Sequence, residues 1–223
     1  SSGSNSIADD VTLATVNYYQ TDGSVTVNKN SRLTCSGEFS NKGTITNNGT
    51  ITVTDDSLIS GAVSGGTFRT KGSINSTADF APTNLIFESK VAQSFTSSGT
   101  TTVENLTVSN TSASGFTVNS IINVTKSFND NSKKIVNGNK IVLSDGAVYL
   151  LNGKTKTDLT LTGEFVVKEG ETLTINGNLE LGKNAKLIVE NGAEVLVKRA
   201  LKTTSAQINV SEGGKIQVDD YLM

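Results

Sequence analysis

The acidic doublet Asp55–Asp56 is the strongest candidate for chemistry in this chain of 223 residues. Glycoside hydrolysis requires two carboxyl groups, and Arg69 and Lys71 lie close by in sequence as cations that a polysaccharide-cleaving site would use. Ca²⁺ also binds carboxylate oxygens, so Asp55 and Asp56 are candidate calcium ligands. Neighbouring residues of a strand point to opposite sides, so the two carboxylates converge on one ligand only if they lie in a loop.

The remaining composition argues against catalysis. The chain has no histidine and a single cysteine, so Cys35 lacks the usual base that would activate it, and we assign it to the core. The known calcium-loop patterns are absent, and solvated turn carboxylates are the favoured interpretation of Asp55 and Asp56. We therefore predict a non-catalytic protein without a cofactor.

Apolar residues recur at long and nearly constant intervals, and this pattern predicts the scaffold. Three interleaved series near the C terminus share a spacing of 21 or 22 residues: Phe165–Leu187–Ile208, Leu173–Val195–Ile216 and Leu179–Leu201. The same spacing relates residues in the middle of the chain: Ile74–Phe95–Phe116, Leu85–Leu106, Phe87–Val108, Ile121–Leu143–Phe165 and Leu151–Leu173. Three series at one period indicate three strands per repeat, each stacked on its counterpart in the next repeat.

The fold prediction follows from this period. We expect an all-β parallel β-helix, or β-solenoid, with about ten coils of about 21–22 residues and three short strands per coil. Residues 1–223 are expected to form one domain, because the series continues without a break. We favour right-handed winding, although periodicity does not fix the handedness.

A six-residue repeat occupies residues 37–54, with Phe39, Ile45 and Ile51 at matching positions. We expect this step to end after Thr54. The segment resembles the Gly-Thr-Ile-Asn-type repeats of filamentous-haemagglutinin-like β-helical surface proteins. That resemblance implies a β-helical adhesin-like protein of a cell surface.

Asparagine spacing allows two interpretations. Asn110, Asn131 and Asn152 are 21 residues apart, which would stack three amides at one corner as a hydrogen-bonded ladder. Asparagine is also common in turns, and ordinary turn positions explain the same spacing.

Charge and composition limit the partners and the compartment. The net charge of −2 and a pI near 5.3 give no reason to expect nucleic acid. No run of about 18 apolar residues is present, so we expect no membrane insertion. A polar β chain with one cysteine and one proline fits an extracellular location on a microbial cell surface.

The two ends of a solenoid carry unpaired strand edges, which must be covered or used for assembly. We expect residues 1–30 to form an N-terminal cap or assembly segment, and residues 219–223 to form a C-terminal cap or contact tail. The expected assembly contacts are Val11, Leu13, Tyr221, Leu222 and Met223.

The predicted function is a non-catalytic extracellular structural or adhesive protein, including a self-assembling subunit of a fibre or sheath. Its partner would be a second copy of the chain or a surface glycan. The alternative is a polysaccharide-binding or polysaccharide-cleaving β-helix with its site near Asp55 and Asp56. Carboxylates that share one groove with Lys71 or Arg69 would favour this alternative.

Overall fold

The computed structural model describes residues 3–144, 147–151, 159–161 and 164–222. Within these ranges the chain is almost entirely β-structure, with one short 3-10 helix at Gly138–Lys140. Valine, isoleucine and threonine fill the strands, where branched side chains pack well on a pleated surface. Glycine, asparagine and serine fill the turns between them.

Most strands are short, and β16 and β18 are the longest. The strands that precede the 3-10 helix are β1 (Ser4–Ile7), β2 (Thr12–Thr15), β3 (Tyr18–Gln20), β4 (Ser24–Val27), β5 (Arg32–Cys35), β6 (Phe39–Asn41), β7 (Thr44–Asn47), β8 (Thr50–Val53), β9 (Ser57–Ile59), β10 (Val63–Ser64), β11 (Thr67–Thr70), β12 (Ile74–Ser76), β13 (Phe80–Ala81), β14 (Asn84–Ser89), β15 (Gln93–Ser97), β16 (Thr102–Asn110), β17 (Phe116–Val118), β18 (Ile122–Asp130) and β19 (Ile135–Val136). Those that follow it are β20 (Ile141–Leu143), β21 (Val148–Leu151), β22 (Leu159–Leu161), β23 (Glu164–Val167), β24 (Thr172–Ile175), β25 (Leu179–Leu181), β26 (Lys186–Val189), β27 (Glu194–Val197), β28 (Ala200–Thr203), β29 (Gln207–Val210), β30 (Lys215–Val218) and β31 (Tyr221–Leu222).

The strands form three faces of one coil. The first face is the sheet β1-β4-β7-β10-β13, the second is the sheet that runs from β2 to β29, and the third is the sheet that runs from β3 to β19. Toward the C terminus the sheets β22-β25-β28-β31 and β24-β27-β30 take the places of the first and third faces. The prediction of an all-β parallel solenoid with about ten turns and three strands per coil is confirmed. Its handedness stays a prediction.

The predicted long period holds near the C terminus. Phe165 lies opposite Leu187, and Leu187 lies opposite Ile208. The series through Val195 and the pair of Leu179 with Leu201 also occupy the predicted registers. Each of these ladders stacks an inward-facing apolar side chain on another, so the core continues from coil to coil.

Coils in the N-terminal half are shorter. Phe39, Ile45 and Ile51 lie in β6, β7 and β8, so each six-residue step carries the chain to the next face of the same coil. Three such steps complete one coil and bring Ser57 of β9 opposite Phe39. The sequence repeat therefore describes one complete turn of the solenoid.

The expectation that this step ends after Thr54 is wrong. Thr50 lies opposite Thr67, and Thr67 lies opposite Asn84, so the short step continues through two further coils. The repeat is hidden because Ser57 occupies an inward position where an apolar residue is expected, with 3% of its surface exposed. Each of these two coils is also shortened by a single residue at the corner between the first and second faces.

Four of the predicted pairings are wrong in the middle of the chain. Phe116 lies opposite Gln93 and not Phe95, Leu143 lies opposite Val124 and not Ile121, and Phe165 lies opposite Tyr149 and not Leu143. Leu151 and Leu173 lie in different sheets, since β21 is followed by β23 on the second face and Leu173 belongs to β24. The long strands β16 and β18 cross a corner here, and their register shifts between Val103 and Asn105. Such a shift moves every later position, and periodicity alone does not reveal it.

Aromatic side chains fill the middle of the core. All eight phenylalanines are buried. Ring pairs follow one another along the axis from Tyr18–Phe39, whose centroids are 4.8 Å apart, to Tyr149–Phe165, at 5.3 Å. The coils that follow Phe165 are filled with leucine, isoleucine and valine instead.

Close stacking of the corners makes Gly61 sensitive to substitution. A Cβ at this position would overlap the backbone of Lys42 and Gly43 in the preceding coil. We expect Gly61→Ala to lower the free energy of unfolding by about 1–3 kcal/mol, because the backbone of the preceding coil or of the Gly61 corner must move. Gly138→Ala is the control, since its Cβ would meet only Ile135 at an ordinary 3.5 Å. Equal denaturation midpoints for the two variants would contradict this steric account.

Candidate functional sites

A shallow open groove crosses the corner between the second and third faces. It is lined by Glu38, Asp55, Asp56, Ser57, Leu58 and Asn75. Asp55 and Asp56 belong to the turn between β8 and β9. Because they lie in a loop and not in a strand, both carboxylates reach the same groove. Leu58 points outward from β9 and is exposed.

The carboxylates of this groove also serve the local backbone. Asp55 Oδ1 accepts a hydrogen bond from the Asp56 N–H at 2.9 Å, and Asp56 Oδ1 accepts one from the Ser73 N–H at 2.7 Å. Glu38 Oε2 accepts a hydrogen bond from the Tyr19 hydroxyl at 2.9 Å, and this contact raises the pKa of Tyr19. The bonds of Asp56 and Glu38 connect successive coils, and the bond of Asp55 lies within its own turn.

The cationic partners proposed for a polysaccharide site are not among the residues that line the groove. Arg69 lies on the second face, where its Nη1 is 3.0 Å from Glu88 Oε2. Lys71 follows β11 and is exposed, and it is not one of the lining residues. Within the described part of the chain, no three histidine, cysteine, aspartate or glutamate side chains are grouped so that they could hold a metal ion.

The N-terminal end of the rod exposes its core. β1, β2 and β3 each pair with a strand on one side only. Leu13 lies opposite Leu33 and points inward, yet 47% of its surface is exposed, whereas Leu33 is fully buried. Val11 and Val16 flank β2 and are exposed as well. Thus the first coil is a strand layer of the solenoid in which inward-facing Leu13 is open to solvent, whereas Ile7 is 8% exposed.

The C-terminal end shows the same arrangement. β29, β30 and β31 each pair with one strand of the preceding coil. Ile208 lies opposite the fully buried Leu187 and points inward, but 38% of its surface is exposed. Val210 and Tyr221 are exposed too. Leu222 is the last described residue, and the predicted contact Met223 lies outside the described residues.

The predicted asparagine ladder is not formed in its first step, from Asn110 to Asn131. Asn110 is buried and donates to Val91 O and Gln93 Oε1, at 2.9 and 2.8 Å, whereas Asn131 is exposed. Asn152 lies outside the described residues. The chain makes a different ladder at the start of the second-face strands, Ser127 Oγ to Asn105 Oδ1, Asn105 Nδ2 to Asn84 Oδ1 and Asn84 Nδ2 to Thr67 Oγ1. The sequence contained this signal, because Asn84 and Asn105 are also 21 residues apart.

Sequence reasoning also missed a buried polar cluster in the core. Asp130 is 2% exposed, and its Oδ1 accepts hydrogen bonds from the Ser132 N–H and hydroxyl at 2.8 and 2.6 Å. The Tyr149 hydroxyl donates to Asp130 Oδ2 at 2.9 Å. Burial, together with Asp130, raises the pKa of Tyr149 well above its usual value. The cluster holds two successive coils together, and nothing in the spacing of these residues predicted it.

Ion pairs connect neighbouring coils across the outer surface of the C-terminal half. Opposite charges lie one coil apart in the pairs Glu104–Lys126, Glu164–Lys186, Lys168–Glu190, Glu194–Lys215 and Lys198–Asp219. Lys198 and Gln217 lower the pKa of Asp219. Each exposed pair contributes at most about 1 kcal/mol, and together they favour the correct register over a shifted one.

Reversing one of these charges tests whether the ion pairs favour the correct register of the strands. In Lys215→Glu a second carboxylate faces Glu194, and we expect the free energy of unfolding to fall by up to about 1 kcal/mol at low salt. The double variant Glu194→Lys/Lys215→Glu restores opposite charges and should recover most of the loss. Urea denaturation at low and high ionic strength measures both effects. An unrecovered loss in the double variant would show that charge pairing is not the cause.

Comparisons with known proteins add no relative to this picture: no protein-family model, curated protein or solved structure matches the chain. Among the described residues, no helix has the length and apolar character needed to cross a membrane.

Proposed function

We propose that this chain is a non-catalytic structural protein of a microbial cell surface, a rod that assembles through its ends into a fibre or sheath. The observation that carries the proposal is the exposure of core positions in the first and last coils, where Leu13 and Ile208 point inward and are 47% and 38% exposed. Free strand edges that carry apolar side chains are templates for further strand pairing. A contact between two different ends of one molecule produces an open polymer.

The outer surface supports a structural role. On the first face the outward column Ser6, Thr26, Thr46 and Ser64 presents hydroxyl groups over four coils. In the C-terminal half, the exposed charges named above lie in pairs that bind each other. Such a surface is well solvated and resists lateral aggregation, so association is directed to the ends.

Light scattering across a range of protein concentrations, with negative-stain microscopy of the same samples, tests the proposal. We expect the mass to rise with concentration and filaments or sheets to appear. A monodisperse monomer at every concentration would contradict self-assembly.

A glycan partner at the groove of Glu38, Asp55, Asp56 and Asn75 is the second proposal. Its support is the position of both predicted aspartates in one open depression beside the exposed Leu58. Calorimetric titration with neutral and acidic polysaccharides, with Asp55→Asn as the variant, tests binding. Release of reducing ends during the incubation would show cleavage. Equal heats for the variant and the unmodified chain would exclude the groove as the binding site.

A further inference from the structure

We propose that the third face binds an extended polysaccharide of amino sugars, whose chain lies along the rod axis over Tyr19, Ser40, Leu58 and Asn75 and whose ammonium groups meet the carboxylates of the groove. This inference rests on the second proposed function, a glycan at the groove, and it names the chemical class of that glycan and the direction of its chain. An exposed column of side chains and the charge beside it carry the inference.

Four outward residues form a straight column on the third face. Tyr19 lies opposite Ser40, Ser40 lies opposite Leu58, and Leu58 lies opposite Asn75, so the column crosses four successive coils. Tyr19 is 60% exposed and Leu58 is 41% exposed, and only the small side chain of Ser40 stands between them. The column therefore offers an aromatic and an aliphatic contact surface to a ligand that runs along the axis.

The ring of Tyr19 is held at the margin of the groove. Its hydroxyl donates a hydrogen bond to Glu38 Oε2 at 2.9 Å, and Glu38 lines the groove. A pyranose ring presents C–H groups on its flat side, which pack against an exposed aromatic ring, and hydroxyl groups at its rim, which bind polar side chains. Tyr19 thus supplies the packing surface for a sugar, and Glu38 and Asn75 supply polar contacts beside it.

The carboxylates beside the column favour a cationic ligand. Glu38 and Asp56 directly precede the paired residues Phe39 and Ser57, so they lie one above the other on neighbouring coils, and Asp55 adjoins Asp56. Like charges at such positions oppose strand pairing. The ion pairs of the described residues connect other acidic residues to a lysine or arginine one coil away and do not include these three. A ligand that carries ammonium groups supplies the complementary charge.

Each of these carboxylates also keeps one oxygen for a ligand. Asp55 Oδ1, Asp56 Oδ1 and Glu38 Oε2 accept the hydrogen bonds from the chain. The other oxygen of each group accepts none from the described residues. The three free oxygens are distributed over two coils, which suits several ammonium groups on one extended chain.

Backbone pairing favours a glycan over a basic peptide. β6 pairs with both β3 and β9, and β9 pairs with both β6 and β12. The backbone groups of this face are therefore already used, and an extended peptide has no free edge here to which it could add as a strand. Successive coils lie about 4.8 Å apart, which is close to the length of one sugar in an extended β-linked chain. One sugar per coil brings successive sugars over the column.

Calorimetric titration with glucosamine oligomers of increasing length tests the inference. We expect the affinity to rise with each added sugar until the oligomer covers the four coils of the column, and then to level off. N-acetylglucosamine oligomers have the same rings without the charge, and they should bind about fivefold more weakly or less tightly still. Added salt should reduce the difference between the two series, because it screens the exposed carboxylates.

Variants separate the contribution of the ring from that of the charge. Tyr19→Ala should weaken the binding of both series by about three- to tenfold, whereas Tyr19→Phe keeps the ring and should retain most of the affinity. Glu38→Gln should weaken the glucosamine series more than the acetylated series. Glu212→Gln is the matched control, because it removes the same charge from an exposed turn between β29 and β30 and should leave binding unchanged. Circular dichroism spectra verify that each variant is folded.

The other outcomes overturn the inference. Equal affinity for the two series, with a loss in Asp55→Asn, would leave a glycan at the groove and remove the amino-sugar class. Oligolysine that binds as tightly as the glucosamine oligomers, without a loss in Tyr19→Ala, would show a basic peptide as the ligand. An equal loss in Glu212→Gln and Glu38→Gln would show attraction by the net charge alone. Absence of binding by any glycan would remove both this inference and the glycan proposal at the groove.

Discussion

Replacing Phe87 with alanine is expected to lower the free energy of unfolding by about 3–5 kcal/mol. Phe87 is fully buried, and the centroid of its ring lies 4.3 Å from that of Phe116 and 6.1 Å from that of Phe95. Alanine would leave a cavity between two coils, and the stacked backbone on either side limits the collapse that would fill it. The loss also breaks the aromatic contacts in the middle of the rod.

Chemical denaturation followed by circular dichroism measures this effect, and hydrogen exchange locates it. In a solenoid each coil contacts only its neighbours, so exchange should accelerate most in β14, β15 and β17. Val91→Ala is the matched control, because Val91 is exposed and should change stability by less than about 0.5 kcal/mol. A loss below about 1 kcal/mol for Phe87→Ala would show that the core relaxes around the cavity.

The buried cluster gives the second large effect. We expect Asp130→Ala to cost about 3–5 kcal/mol, because three donors, from Ser132 and Tyr149, lose their acceptor inside the core. Tyr149→Phe removes only one donor and should cost about 1–3 kcal/mol. If both variants unfold at the same denaturant concentration, the contacts with Ser132 contribute nothing and this account is wrong.

The same tyrosine predicts a loss of stability in alkali. Burial raises the pKa of Tyr149 well above 10.0 and the pKa of Tyr18 to about 12. The folded chain then keeps these protons at pH values where the unfolded chain has released them. Stability is therefore fully present below about pH 10 and falls as the pH rises above it, by up to about 1.4 kcal/mol per pH unit for each tyrosine.

Unfolding free energies measured between about pH 8.5 and about pH 11.5 check this slope. Tyr149→Phe should show a shallower fall than the unmodified chain, and so should Tyr18→Phe. Val91→Ala is the control, because Val91 is exposed and has no ionisable group, so its substitution should leave the slope unchanged. Parallel curves for all three variants would contradict the role of burial.

The candidate groove was predictable from sequence only in part. Asp55 and Asp56 were recognised as an isolated acidic doublet, and they do share an open depression. Glu38 and Asn75 come from the coils before and after, and no local pattern links them to the doublet. The number of residues that separates Glu38 and Asn75 from the doublet is set by the short coils of this region. The longer period found elsewhere in the chain concealed these short coils.

The sequence by itself determined the class of fold. Alternation of apolar and polar residues defines strands, and a constant spacing of Leu173, Val195 and Ile216 defines stacked coils, because each inward position needs an apolar neighbour above and below. Where every inward position is apolar, as after Phe165, the register follows directly.

Only the tertiary structure decided the register of the strands in the first half of the chain and the solvent exposure of the first and last coils. Three polar residues occupy inward positions. Asn47 donates a hydrogen bond to backbone of the next coil, and Asp130 accepts one from the Tyr149 hydroxyl. The core tolerates the small buried side chain of Ser57. Those partners lie about one coil away in sequence, and a polar residue at a core position gives no periodic signal. The exposure of Leu13 and Ile208 likewise depends on what lies beyond each end, since both have the pattern of ordinary core residues.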